Sequence, residues 1–230
     1  MTSKLEILAY EDTSLGPLCL RRRELLSQPG VFVTEVTLNH EFLMSSYNTD
    51  SERVISNLSV QLHGGNELCA LVGGLGLGYT ARELANAPQI SEVEVVEFLP
   101  QVIDWLRGGL IPLSDELNSV SNLQITDGDV YEKLLQPAGK KYDLIVIDVD
   151  HSPSDQLGED DHRFYTVDGL TQAKTHLNEG GVLAIWSYAQ SSAFSEALES
   201  VFATTRIEPV RTMNELVGHE QTDWLFFGQD

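Results

Sequence analysis

The stretch Leu71-Val72-Gly73-Gly74-Leu75-Gly76-Leu77-Gly78-Tyr79-Thr80 decides how the rest of the sequence is interpreted. An apolar strand leads directly into a glycine loop (residues 73–78), and a helix begins behind it. Glycine is required where the chain turns tightly or a ligand approaches the backbone, because a Cβ would obstruct both. Free N–H groups at the start of the helix favour a polar or anionic ligand. Gly74, Gly76 and Gly78 therefore predict a nucleotide-type binding loop, with an ordinary turn as the alternative.

Strand-type and helical stretches alternate on the carboxyl side of this loop. The strand candidates are residues 68–72, 92–97, 123–126, 142–148, 182–186, 203–209 and 222–227. Alternation of this kind is typical of a mostly parallel sheet that is covered by helices on both faces. We therefore expect an α/β fold with a mostly parallel sheet.

The N-terminal part of the chain has a different pattern. Short β-type runs at residues 5–10, 18–22, 31–38 and 42–44 are separated by Gly- and Pro-containing turns. They predict a small antiparallel β domain over residues 1–47. Residues 48–230 would then form the Rossmann-like domain.

Two strand ends beyond the glycine loop carry acids. Glu97 ends the next strand, about 20 residues after the glycines, where a carboxylate can accept hydrogen bonds from ribose hydroxyls. The alternative is a solvated strand end. The third strand ends in Asp127-Gly128-Asp129, and we expect Asp127 and the Gly128 backbone to contact an adenine. Asp129 is expected to cap the following helix, although either aspartate could do so.

A fourth strand end has a denser set of polar groups. The apolar run 144–147 delivers Asp148 to the sheet edge where open α/β sheets bind ligands, and Asp150 and His151 follow. These three residues are candidate catalytic groups that could act as an acid/base set. Asp148 and Asp150 could instead bind a hard metal ion, although we expect no metal, or could simply border a loop.

Composition limits the partners that the chain can bind. With 14 basic and 35 acidic residues, its formal net charge of −21 repels nucleic acid and attracts cations such as amines, although solubility alone could explain it. No apolar run reaches the roughly 18–20 residues that a membrane helix needs, and the N-terminus lacks the apolar stretch of a signal peptide. We therefore expect a cytoplasmic protein that binds neither nucleic acid nor membranes.

Taken together, these strand ends resemble the spermidine synthase-like branch of the class I S-adenosylmethionine-dependent methyltransferases. The likeness covers nearly the whole chain and includes the glycine loop, Glu97, Asp127 with Gly128, and Asp148. It implies a seven-stranded Rossmann-like domain behind a small antiparallel β domain. It also implies S-adenosylmethionine or its decarboxylated form as cofactor and a small-molecule acceptor such as an amine. Exposed edges of the N-terminal sheet favour a homodimer.

The sequence departs from that family at three places. Leu77 stands where the glycine loop of the family has an Asp, residues 48–58 lack the family's tyrosine, and the segment after Asp148 is one residue longer before its proline. We therefore expect a transferase that alkylates a small nucleophile, with methyl transfer slightly favoured. The alternatives are a true polyamine aminopropyltransferase, a cation-dependent O-methyltransferase and a non-catalytic nucleotide-binding or assembly protein. Phe164-Tyr165, Trp186 and Tyr188 could line the pocket or simply pack.

Overall fold

The computed structural model describes residues 5–149, 152–153, 163–214 and 218–230. Asp150 and His151, two of the predicted catalytic residues, lie outside the described residues. The described part of the chain forms two sheets, one of four strands and one of seven. This arrangement confirms the predicted fold class, whereas a domain boundary between residues 47 and 48 stays a prediction.

The four-stranded sheet is built from consecutive antiparallel strands. These are β1 (Leu5–Thr13), β2 (Gly16–Glu24), β3 (Phe32–Leu38) and β4 (Glu41–Ser45). Leu18, Leu20, Val36 and Leu38 are buried on one face and join the core of the larger sheet. The N-terminal sheet is thus packed onto the rest of the protein by an apolar face that β2 and β3 share.

The remaining elements form the larger α/β unit. They are α1 (Asp50–His63), β5 (Leu68–Gly73), α2 (Tyr79–Asn86), β6 (Ile90–Glu97), α3 (Pro100–Arg107), α4 (Ser114–Ser119), β7 (Leu123–Asp127), α5 (Val130–Leu135), β8 (Tyr142–Ile147), α6 (Val167–Lys174), β9 (Leu177–Ser187), α7 (Ser192–Val201), β10 (Thr204–Asn214) and β11 (His219–Gln229). The strand order is β10-β11-β9-β8-β5-β6-β7, and β11 is antiparallel to both β9 and β10. No helix within the described ranges is long and apolar enough to cross a membrane.

Both faces of the larger sheet are buried at its centre, which explains why residues 68–72 of β5 and 144–147 of β8 are apolar without interruption. Val72 and Val146 point to the face covered by α1 and α2, whereas Leu71 and Ile145 point to the opposite face. Because successive side chains of a strand alternate between faces, a strand covered on both sides must be apolar at every position.

The chain reverses its direction of travel across the sheet at β5. It proceeds from β5 to β6 and β7 on one side, then returns to β8 on the other. Ligands of open α/β sheets bind at such a switch point, outside the carboxyl ends of the strands. The four predicted strand ends all lie along this edge.

One helix was not anticipated. The short helix α4 has only two buried residues, Ser114 and Leu117, so it shows no apolar periodicity that a sequence pattern could reveal. It nevertheless supports the glycine loop, because a Cβ at Gly78 would lie 2.4 Å from Leu117 Cδ1.

Candidate functional site

The glycine loop has the geometry that its sequence predicts. Gly74, Gly76 and Gly78 have φ angles of +92°, +53° and +89°, a region that side chains other than hydrogen rarely tolerate. A Cβ at Gly74 would also lie 2.1 Å from the carbonyl oxygen of Asp148. The loop therefore lies directly against the end of β8, and α2 begins behind Gly78.

Glu97 is buried, with 7% of its surface exposed, and is not a solvated strand end. Its Oε2 accepts from the Leu75 N–H at 2.7 Å, and its Oε1 accepts from the Leu99 N–H at 2.8 Å. Burial raises the pKa of this carboxyl, while the backbone N–H groups oppose that rise. The N–H groups of Leu75, Gly76, Phe98 and Leu99 all favour the ionised carboxylate, and the ribose role of Glu97 stays a prediction.

Of the two aspartates at the end of β7, Asp129 is the helix cap, as predicted. Asp129 caps α5, because its carboxylate accepts from the N–H groups of Tyr131 and Glu132 at 2.7 and 3.2 Å. Asp127 is exposed at the end of β7, opposite Glu97 in the parallel register. The Gly128 N–H donates to the Glu97 carbonyl at 3.0 Å, so this donor is already used inside the sheet. The adenine roles of Asp127 and Gly128 stay predictions.

These groups lie along three neighbouring strand ends. The glycine loop follows β5, Glu97 ends β6 and Asp127 ends β7, and the three strands are adjacent in the sheet. Neighbouring strands are about 4.8 Å apart, so the three ends span roughly 10 Å, which matches the length of a nucleoside. Met44 borders the loop, since a Cβ at Gly76 would lie 3.0 Å from its Sδ.

Asp148 lies beside the glycine loop at the end of β8. Its N–H donates to the Gly73 carbonyl at 2.8 Å, and its Oδ2 accepts a short hydrogen bond from the Thr80 hydroxyl. Burial raises the pKa of the Asp148 carboxyl to about 6, the Thr80 hydrogen bond opposes that rise, and the negative charge of Asp223 adds to it.

Two further carboxylates face the same region and were not among the predicted site residues. Glu52 lies in the first turn of α1, and its Oε2 accepts from the Ser51 hydroxyl at 2.9 Å. Burial and then the charge of Asp148 raise the pKa of Glu52 to about 8. Asp223 is 4% exposed on β11, and burial raises the pKa of its carboxyl as well.

Glu52, Asp148 and Asp223 form what we call the acidic triad. Its members interact electrostatically, and within the described ranges none of them forms an ion pair with a basic side chain. Buried carboxylates without a cationic partner are costly, which is why such groups usually have a ligand or share protons. The triad is therefore suited to bind a cation.

One sequence signal could have revealed part of the triad. Asp223 is the charged residue in the strand segment Thr222-Asp223-Trp224-Leu225-Phe226-Phe227, which is otherwise apolar after Thr222. A charge inside a buried strand is rare without a functional or structural partner. Glu52 gives no such signal, because acids are common in the first turn of a helix.

The aromatic candidates divide between packing and the edge of the site. Phe164 is fully buried within the aromatic core, and the Tyr165 hydroxyl lies 2.6 Å from that of Tyr131, so both pack on the face opposite α1. Tyr188 is 45% exposed just beyond β9. Trp186 packs against the core on the α1 side, and its buried Nε1 has no hydrogen-bond partner in the described part of the protein.

The metal-dependent alternative depends on residues that the structure describes only in part. Among the described residues, no group of three or more His, Cys, Asp or Glu side chains is arranged to hold a metal ion. Because Asp150 is outside this set, a metal site at Asp148 and Asp150 stays a prediction.

The fold of the chain is similar to that of solved spermidine synthases, although no protein-family model matches it. The spermidine synthase from Thermotoga maritima superposes with a TM-score of 0.75 at 15% identity, over 97% of this chain and 72% of that one. A spermidine synthase in complex with the transition-state analogue AdoDATO gives 0.73 at 16% identity, over 97% and 72%. A probable spermidine synthase from Corynebacterium glutamicum gives 0.66 at 15% identity, over 96% and 80%. The chain therefore has a spermidine synthase-like fold.

Proposed function

We propose that the chain is an aminopropyltransferase-like enzyme that uses decarboxylated S-adenosylmethionine to alkylate a small-molecule amine. The acidic triad beside the glycine loop is the observation that carries this proposal. One buried and two half-buried carboxylates without a basic partner in the described residues favour a cationic acceptor and a cationic donor. The solved spermidine synthases support the same proposed function, because their fold is similar to that of this chain.

The chain has the groups that an adenosine needs. The glycine loop lies at the sheet edge directly against the end of β8, Glu97 is the acceptor proposed for the ribose, and Asp127 is the acceptor proposed for the adenine amino group. When bound, a sulfonium donor supplies an activated methylene carbon and leaves as a neutral thioether. The protein then has only to align the acceptor with that carbon and to exclude water.

The charge of the site favours the decarboxylated donor. S-Adenosylmethionine carries a carboxylate that its decarboxylated form lacks, and a further negative charge near the acidic triad is repelled. Leu77 is 4% exposed and packs in the core, so the glycine loop itself offers no acid to the donor. Although the sequence slightly favoured methyl transfer, the acidic triad favours aminopropyl transfer.

The acidic triad supplies both a binding site and a base for the acceptor. Glu52 and Asp223 are suited to hold an ammonium group, while Asp148 lies against the glycine loop and is suited to take the proton of the attacking nitrogen. In the reaction a C–N bond forms as the C–S bond breaks, and the nitrogen's proton passes to Asp148. A base with a pKa of about 6 is largely ionised at neutral pH and can accept that proton.

The choice of donor gives the first test. We expect the decarboxylated donor to bind at least about tenfold more tightly than S-adenosylmethionine, a difference of about 1.4 kcal/mol that removal of one like charge can provide. Isothermal titration calorimetry with both compounds measures it. The Glu97→Gln variant should weaken both donors, whereas Glu199→Gln, an exposed acid on α7, should weaken neither. Tighter binding of S-adenosylmethionine would contradict the proposal and favour methyl transfer.

Proton release on amine binding gives the second test. Glu52 has a pKa of about 8 and is mostly protonated at pH 7, so an arriving ammonium group favours its ionised form and expels the proton. Affinity for 1,4-diaminobutane should therefore rise about tenfold from pH 6 to pH 8. Calorimetry at pH 7 in phosphate and in Tris should give binding enthalpies that differ by the number of protons released multiplied by the difference between the two buffers' heats of ionisation. Equal enthalpies in both buffers would show that no proton is released when the diamine binds, which would contradict this prediction.

The predicted partners and assembly are part of the same proposal. We propose a small-molecule amine as the acceptor and a homodimer as the working form, in the cytoplasm, without nucleic acid or membrane partners. Light scattering of the purified protein measures the assembly directly.

A further inference from the structure

The Thr80 hydroxyl connects the helix behind the glycine loop to the proposed base. It donates a hydrogen bond to Oδ2 of Asp148, and Thr80 itself is 3% exposed. Thr80 is the second residue of α2, which begins directly after Gly78. A single side chain therefore links the loop proposed for the donor to the carboxylate proposed for the acceptor.

The backbone of Asp148 is already fixed by the same loop. Its N–H donates to the Gly73 carbonyl at 2.8 Å, and its carbonyl oxygen lies where a Cβ of Gly74 would stand. Rotation about χ1 and χ2 is the remaining freedom, and χ2 in particular is broad for an aspartate. The hydrogen bond from Thr80 is the described contact that restricts it.

We propose that Thr80 is a positioning residue for the transfer reaction, because it holds Oδ2 of Asp148 so that Oδ1 faces the nitrogen of the acceptor. The inference rests on the proposed function of Asp148 as the base. The inference gives Thr80 a role in catalysis that is separate from its contribution to the folding of α2.

The charges around Asp148 make this contact more important. Glu52 from α1 and Asp223 from β11 are the charged groups that interact with it in the described part of the chain: Asp223 disfavours its ionised form, and Asp148 in turn raises the pKa of Glu52. Thr80 from α2 acts in the opposite sense, because a hydrogen bond to a carboxylate favours the charged state. Removal of the hydroxyl should therefore raise the pKa of Asp148 as well as release its orientation.

The test compares Thr80→Val, which keeps the shape and loses the hydroxyl, with Thr80→Ser, which keeps the hydroxyl. The Asp148 carboxyl is followed by ¹³C NMR titration, and its signal is assigned by its loss in Asp148→Asn. In Thr80→Val we expect the titration midpoint and the acidic limb of the kcat–pH profile to move up by about one pH unit. We also expect kcat at neutral pH to fall about tenfold or more, because the base is no longer aligned. Thr80→Ser should retain the wild-type midpoint and most of the activity.

Two results would overturn the inference. One is an active Thr80→Val enzyme whose midpoint and kcat are unchanged, and the other is a Thr80→Ser variant that behaves like Thr80→Val. Thr80→Ala provides a second variant without the hydroxyl if the valine does not fold. A wild-type protein that transfers no aminopropyl group would refute the proposed function instead, so the two failures are distinguishable.

Discussion

The substitution Asp148→Asn is expected to lower kcat by about 10²–10⁴-fold, the range over which a positioned general base contributes to proton transfer. Asparagine has nearly the same shape and can still accept from Thr80, but it cannot take a proton from the attacking nitrogen. The residues proposed to bind the nucleoside part of the donor do not include Asp148, so we expect donor binding to change little. Single-turnover rates with saturating donor and acceptor measure the loss directly.

A matched variant separates the loss of the base from a general loss of charge. Glu199→Gln removes one acid from an exposed position on α7 and should retain full activity. Calorimetry with 5′-methylthioadenosine reports whether the Asp148→Asn crevice still binds a nucleoside. Wild-type turnover by Asp148→Asn would mean that another group takes the proton or that the acceptor enters already deprotonated.

The parallel sheet was predictable because its cause is local. Strand segments such as residues 144–147 are apolar at every position, and each is bounded by turn residues or by a helix with its own period. The glycine loop was equally readable, since positive φ angles at residues 74, 76 and 78 can hardly be adopted by another residue type. Local constraints of this kind leave a direct trace in the residue types.

Strand lengths were less predictable than strand existence. β9 was expected over residues 182–186 and runs over Leu177–Ser187, and β10 and β11 each extend to eleven residues. The additional residues pair between neighbouring strands, as in the complete register of β10 with β11. Tertiary pairing of this kind extends strands through residues whose own propensity for β structure is low.

The residues of the candidate site also differ in how far the sequence predicts them. Glu97 and Asp148 were predictable because each lies at the end of a strand of the parallel sheet. A residue that follows such a strand in the sequence must also lie at the carboxyl edge of the sheet. Glu52 and Asp223 are 171 positions apart in sequence (223 − 52) and meet only because α1 packs on the side of the sheet where β11 joins β9. Burial and proximity decide their chemistry: the apolar residues after Asp223 indicate its burial, but no flanking residue indicates that it lies near Glu52.

Glu52→Gln is expected to weaken the acceptor about tenfold or more and at the same time to stabilise the protein. The loss of affinity follows because an ammonium group loses one of its carboxylate partners. The gain in stability follows because the folded protein holds Glu52 as a carboxylic acid up to about pH 8, whereas in an unfolded chain it ionises near pH 4.5. KM for a diamine and the melting temperature are the two measurements.

The raised pKa of Glu52 determines how its contribution to stability changes with pH. The native state binds the Glu52 proton more tightly than the unfolded state, so this group's contribution to stability is complete at low pH and is lost as pH rises from about 4.5 through 8. At pH 9 Glu52 is ionised beside Asp148, and glutamine relieves a repulsion of about 1–2 kcal/mol after allowance for its partial exposure. That difference corresponds to a rise in melting temperature of roughly 2–8 °C. Below about pH 4, where this side chain is neutral in both the folded and the unfolded state, the two proteins should melt together.

The effects of Glu52→Gln on acceptor affinity and on stability together distinguish a binding site from a structural cluster. A carboxylate that mainly holds the fold together would lower both stability and activity when it is replaced, because its partners would be left unpaired. A carboxylate kept for a cationic ligand destabilises the free protein and is stabilised when the ligand binds, so its removal has opposite effects on the two measurements. Glu199→Gln should alter neither quantity at either pH. A Glu52→Gln protein that melts earlier than the wild type at pH 9 would show that the acidic triad is structural, and the acceptor site would have to be sought elsewhere along the sheet edge.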